Sequence, residues 1–149
     1  MLAVAIVAVC LLGAAQSGCS ATTTPTGVGS DSQVKSAAEA DDRFARAFAE
    51  RAVDRELEGV GTVSKLLTDD TDGAEHQRFI VRLDSGQTVL VTHNVDVAPR
   101  VRGLGVGDTV AFKGEYVWNA QGGLMHWTHH DPSGSHIAGW IKHDGRTYQ

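Results

Sequence analysis

From Glu58 onward the apolar residues fall at every second position, and short turns rich in Gly, Asp and Pro interrupt the pattern. A period of two sends successive side chains to opposite faces, which is the mark of a half-buried strand and excludes an amphipathic helix. Gly59 to Leu67 reads as a first strand, followed by a turn from Thr68 to Glu75 crowded with Asp69, Asp70, Asp72 and Gly73. Gln77 to Leu83 places Phe79, Val81 and Leu83 on one face, and Thr88 to Thr92 returns after Asp84-Ser85-Gly86. A longer link from Asn94 to Leu104 contains Pro99. Gly107-Asp108 then leads into Thr109–Trp118, with Val110 and Phe112 on the buried side. Gln121-Gly122-Gly123 separates it from Leu124–His130, and Asp131-Pro132-Ser133-Gly134 from His136–His143.

Short strands with exposed edges find stability by closing on themselves or by pairing two sheets. The long link after the third strand favours closure. So does Val106-Gly107-Asp108-Thr109-Val110-x-Phe112-x-Gly114, in which Gly114 relieves crowding where a strand bends round a narrow barrel. The expected fold is mostly β, a small OB-like antiparallel barrel of five to six strands over residues 58–149; a β-sandwich is the alternative. Phe79, Val81, Leu83, Val110 and Phe112 are its expected core.

Upstream the periodicity changes. Ser36-Ala37-Ala38-Glu39 has capping-box spacing, and Phe44, Phe48 and Ala52 recur every four residues among charges. This predicts one N-terminal amphipathic helix over 37–57, plugging an end of the barrel. Residues 19–36, rich in Thr, Ser and Gly, read as a flexible tether. Leu2 to Ala15 is a nearly unbroken apolar run, shorter than the roughly 20 residues a spanning helix needs. It fits the core of a secretory signal over residues 1–18. Ser17-Gly18-Cys19 carries the small-residue-then-cysteine cue for lipidation of Cys19. Gln16 departs from the leucine usual in that motif, and no Lys or Arg precedes Lys35, so the true start is expected upstream of Met1. An exported bacterial protein follows, lipid-anchored in the envelope or secreted, touching membrane only through its N-terminus.

Cys10 and Cys19 are the only cysteines. With one in the signal and the other lipidated, disulfide scaffolds, cysteine-ligated zinc and thiol catalysis are excluded. The formal net charge of −5 argues against a strong electrostatic grip on nucleic acid. No Gly-x-Ser-x-Gly elbow, phosphate loop or dinucleotide fingerprint occurs.

The chemistry concentrates near the C-terminus. Five of the seven histidines and two of the three tryptophans lie between His126 and His143. If Asp131–Gly134 closes a hairpin, alternation collects Met125, Trp127, His129, His136 and Trp140 on one face, with His129 opposite His136. Two imidazoles at that spacing can share a proton or a divalent metal such as zinc, with Asp131, His76 or His93 as further ligands. The opposing expectation is a rigid hairpin whose His129 bonds the Asp131 loop. His93-Asn94-Val95-Asp96 ends the third strand, where OB folds bind ligands; equally, Asn94 and Asp96 can cap the following turn. The acidic turn before His76 lacks EF-hand spacing and reads as solvated.

His76-Gln77-Arg78-Phe79, His93-Asn94-Val95-Asp96-x-Ala98-Pro99-Arg100, Gly114-Glu115-Tyr116, His126-Trp127-Thr128-His129-x-Asp131-Pro132 and Gly139-Trp140-Ile141-x-His143-x-Gly145-x-x-Tyr148 resemble a family of small exported bacterial proteins catalogued only as a domain of unknown function. The resemblance covers about Glu58 to Gln149 and implies an OB-like domain and export, without an activity. The leading reading is a non-enzymatic binding module that holds a small molecule, saccharide or oligonucleotide through His76, Arg78, His93, Asn94, Asp96, Trp127 and Trp140. The alternatives are a metal-dependent hydrolase, such as a phosphodiesterase or nuclease, built on His76, His129, Asp131 and His136, and a structural envelope protein.

Overall fold

The computed structural model describes residues 29–149; the expected signal, Cys19 and most of the expected tether lie outside the described residues. Helix α1 spans Gly29–Ala49. It starts within the stretch expected as tether, so the Ser36–Glu39 box lies inside the helix. Ala40, Phe44 and Ala47 are its buried stripe, spaced as one helix face requires. The end comes at Ala49, short of the expected Leu57. Ala52 N–H donates to Ala47 O and Arg51 N–H to Phe48 O, while Arg51 takes a φ of 52°. That pattern is a Schellman stop, with an arginine in the left-handed position that glycine usually fills.

The strands are β1 (Arg55–Leu66), β2 (His76–Arg82), β3 (Thr88–Asn94), β4 (Thr109–Val117), β5 (Leu124–His126), β6 (Trp140–His143) and β7 (Arg146–Tyr148). β1 pairs with both β2 and β4, β2 with β3, and β5 bridges β3 and β4, closing a barrel of five strands. Residues 95–108 carry the chain from β3 to β4, which lies beside β1. β5 fills the gap left between β3 and β4, and runs parallel to β3. That is the one parallel pair in a barrel expected to be antiparallel throughout.

The inward row is as the alternation requires. Phe79, Val81, Leu83, Val110 and Phe112 are all buried in one cluster, joined by Val89, Val91, Tyr116, Met125 and Ile141. Phe44 enters from α1, with ring centroids 5.8 Å from Phe112 and 6.0 Å from Tyr116. The helix therefore plugs the barrel as expected. Asp41 Oδ2, which accepts from Ser85 N–H at 2.5 Å, pins it to the β2–β3 turn.

The expected C-terminal hairpin does not form. β5 stops at His126 and β6 starts at Trp140. Both pair with β4, β5 along Glu115–Val117 and β6 along Ala111–Lys113. They are two halves of one strand path, and residues 127–139 are extruded from it opposite Gly114. Trp127 leaves the ladder with a φ of 52°. The exit is pinched: a β-carbon on Gly114 would meet His126 O and Trp127 O, and one on Gly139 would meet Trp127 O and Lys113 O. β6 pairs instead with β7 through Asp144-Gly145, both at positive φ.

Candidate functional site

The extruded segment is organised by Asp131. Its carboxylate accepts from Ser133 N–H (2.9 Å), Ser135 N–H (2.7 Å), His136 N–H (2.8 Å) and the Ser133 hydroxyl (2.8 Å). Such local side-chain-to-backbone bonds offer the chain an alternative to a ladder, which is why no hairpin spans this loop. The same amide donors, Ser133 N–H first, hold the Asp131 carboxyl well below the usual carboxylate range.

Held in this way, the loop gathers imidazoles around one indole. His136 stacks on Trp127 with ring centroids 3.7 Å apart and planes 15° from parallel. His129 lies 5.5 Å and His126 6.2 Å from the same ring. His129 and His136 thus share Trp127 as a neighbour instead of opposing each other across paired strands.

The barrel wall supplies the other side. On the outer face, His76 pairs in register with Asn94, and Arg78 with Thr92. Thr92 Oγ1 donates to Met125 O across the β3–β5 seam at 3.1 Å. A shallow cavity of about 120 Å³ results, lined by His76, Thr92, Asn94, His126, Trp127 and His129. Two of its imidazoles have a fixed tautomer. His76 Nδ1 lies 2.8 Å from Ala74 O, and His129 Nδ1 lies 2.8 Å from His130 O. A carbonyl only accepts, so each Nδ1 carries the proton and each neutral ring keeps its lone pair on Nε2.

Behind the cavity, Glu115 stands between two histidines. His126 Nε2 is 2.9 Å from its Oε1, although outside hydrogen-bond alignment, and His136 Nδ1 is 3.5 Å from its Oε2. Glu115 also pairs across the strands with Glu56. Burial pushes the Glu56 carboxyl up; Lys113 partly opposes the shift and Glu115 adds to it. Alternation along β4 puts Glu115 on the row opposite Val110 and Phe112, but only the extruded loop brings His136 to it.

Several expected contacts lie elsewhere. His93 is fully buried, with Nδ1 3.0 Å from Thr128 Oγ1 and Nε2 3.1 Å from Pro99 O. It ties β3 to the extruded loop and to the 95–108 link, and reaches no ligand surface. Asn94 Oδ1 accepts from Asp96 N–H and Asp96 Oδ2 from Glu75 N–H; both carboxamide and carboxylate cap backbone, while Asn94 also borders the cavity. Arg78 turns to the acidic loop, where it donates to Thr68 O and lies 3.4 Å from Asp70 Oδ2. Arg100 pairs with Asp69 and Glu75, so two arginines offset part of that loop's negative charge. Trp140 lies outside the cavity, with Lys142 Nζ 4.0 Å over its ring.

Of the residues expected to hold zinc, His129 and His136 meet at Trp127 and Asp131 bonds the loop between them. Asp131 is committed to four donors of its own loop. Among the described residues no three His, Cys, Asp or Glu side chains are grouped to hold a metal ion.

His93 yields a pH prediction. Burial is the largest influence on its imidazole and lowers its pKa; the nearby His129 and His76 lower it further, and its bonds to Pro99 and Thr128 oppose the shift. The unfolded chain therefore binds this proton first as pH falls. Stability from this group is present above about pH 6.5 and is lost as the pH drops below it. Urea midpoints measured at pH 7.5 and 5.5 should show that drop, and His93→Gln should reduce it. An equal drop in the variant would assign the pH dependence to other groups.

No curated protein matches the chain. The model of one family matches residues 28–149, the whole described structure, and the protein belongs to that family, described as a protein of unknown function (DUF3465).

Proposed function

We propose that the protein is an exported, OB-like binding module that holds a small ligand on the outer face of β2, β3 and β5, against Trp127. The observation that carries this reading is the position of the cavity. OB folds take ligands on the face of their second and third strands, and here that face is walled by an indole and by imidazoles with fixed tautomers. Aromatic faces with a few oriented polar groups suit small molecules and sugars. The net charge of −5 weighs against an oligonucleotide. Metal-dependent hydrolysis is not favoured, because Asp131 is spent on its loop.

The test is amide and indole NMR during titration with a chitooligosaccharide, a short oligothymidylate and small organic ligands. Saturable shifts confined to His76, Asn94, Trp127 and His129 are expected with at least one of them. Shifts scattered over the surface, or none with any ligand, would leave the cluster a purely structural brace.

Export and anchoring at Cys19 belong to the same proposal, supported by the apolar run before it and the Thr-rich segment after it. In a bacterial host, Cys19→Ser should move the protein from the membrane to the soluble fraction. A wild type already soluble after cleavage at another residue would replace anchoring by simple secretion.

A further inference from the structure

The cavity's polarity narrows the ligand beyond that reading. His76 Nε2 and His129 Nε2 are acceptors, because each ring donates its only proton from Nδ1 to a backbone carbonyl. Thr92 Oγ1 gives its proton to Met125 O and so also offers lone pairs. No lysine or arginine lines the cavity, and Glu115 lies behind His126. Asn94, whose Oδ1 is taken by Asp96 N–H, and the Trp127 indole bring N–H donors to the lining, but no fixed cation is there to answer an anion.

A cation with several N–H donors fits this arrangement better than a metal ion does. Metal–imidazole bonds of about 2.0–2.1 Å require ligands that converge tightly, and no such trio exists among the described residues. Hydrogen bonds from nitrogen reach roughly 2.7–3.2 Å and tolerate a wider ring of acceptors. An ammonium carries three N–H donors and no acceptor. Its charge is also attracted to an indole face, and Trp127 borders the cavity. A volume of about 120 Å³ holds an aminomethyl group, the space of roughly four waters. We infer that the cavity binds the primary ammonium group of a small free amine, an inference that rests on the binding reading above.

The experiment compares n-butylammonium, n-butyltrimethylammonium and n-butanol on the full domain at pH 7.5, by calorimetry and NMR. Butylammonium should saturate one site and shift the His76, Trp127 and His129 signals. The quaternary analogue keeps the charge but has no N–H, and the alcohol lacks the charge; each should bind at least about tenfold more weakly, the loss of one or more charge-assisted hydrogen bonds. His76→Phe and His129→Phe should each weaken butylammonium by about tenfold. If either variant unfolds, the ligand series on the wild type decides. Absence of a saturable butylammonium site, or quaternary binding within about twofold of it, overturns the inference. Should a saccharide or oligonucleotide occupy the cavity while butylammonium does not, the binding module stands and only the amine is wrong.

Discussion

Phe112→Ala is expected to lower the unfolding free energy by about 3–5 kcal/mol. The ring has no exposed surface. The Phe44 ring of α1 is 5.8 Å from it, and Ile141 of β6, in the same buried cluster, is its register partner. Removal of the Phe112 ring leaves a hole where helix, barrel wall and C-terminal strand meet, and three separate elements would have to move to fill it. Domains of this size have about 5–15 kcal/mol in all, so the variant should sit near the edge of folding. Guanidinium denaturation measures it, and a change under about 1 kcal/mol would put the side chain outside the core.

Gly139→Ala should be nearly as damaging by a different route. The added β-carbon would meet Trp127 O, would lie 2.6 Å from Lys113 O, and would lie 2.9 Å from Thr128 Cα. All three are backbone atoms, so no rotamer change relieves the clash. Overpacking of this kind costs typically about 1–3 kcal/mol, and it falls beside the bond from Gly139 N–H to His129 O that holds the neck. The expected outcome is a lowered denaturation midpoint together with loss of the Trp127–His136 stack, read from the Trp127 indole signal. Gly134→Ala is the control. Nothing lies within 4 Å of the new carbon there and only a φ of 69° opposes it, a penalty of roughly 1–2 kcal/mol that should leave the stack in place. Equal loss of the stack in both variants would contradict the pinched exit.

The barrel core was legible in the sequence because burial enforces strict alternation: the inward set from Phe79 to Phe112 could not shift by one residue without exposing all of it. The helix stop was not legible, because Arg51 occupies a left-handed position that sequence reading reserves for glycine or asparagine. β7 was missed although Asp144-Gly145 is a strong two-residue hairpin signal; the flanking strands are too short to show a period. The site was legible in composition but not in geometry. Alternation was extended through Trp127 to His130, whereas Trp127 turns out of the strand and Asp131 captures the amides that a ladder would have used. His93 looked like a surface ligand because it ends a strand; its place on the inward row, with Val89 and Val91, predicts the burial that is observed.

The extrusion of residues 127–139 bears on how such a protein can diversify. A binding residue carried in a ladder cannot be inserted or deleted without reversing the facing of every residue after it. Here β5 and β6 keep their pairing with β4 whatever the chain does between them, provided that Gly114 and Gly139 hold the neck closed. Residues 129–138 can therefore be lengthened, shortened or rewritten with no change in barrel register. Of the cavity lining only His129 lies in that segment, so one wall of the site can vary apart from the barrel while the rest is inherited with the strands.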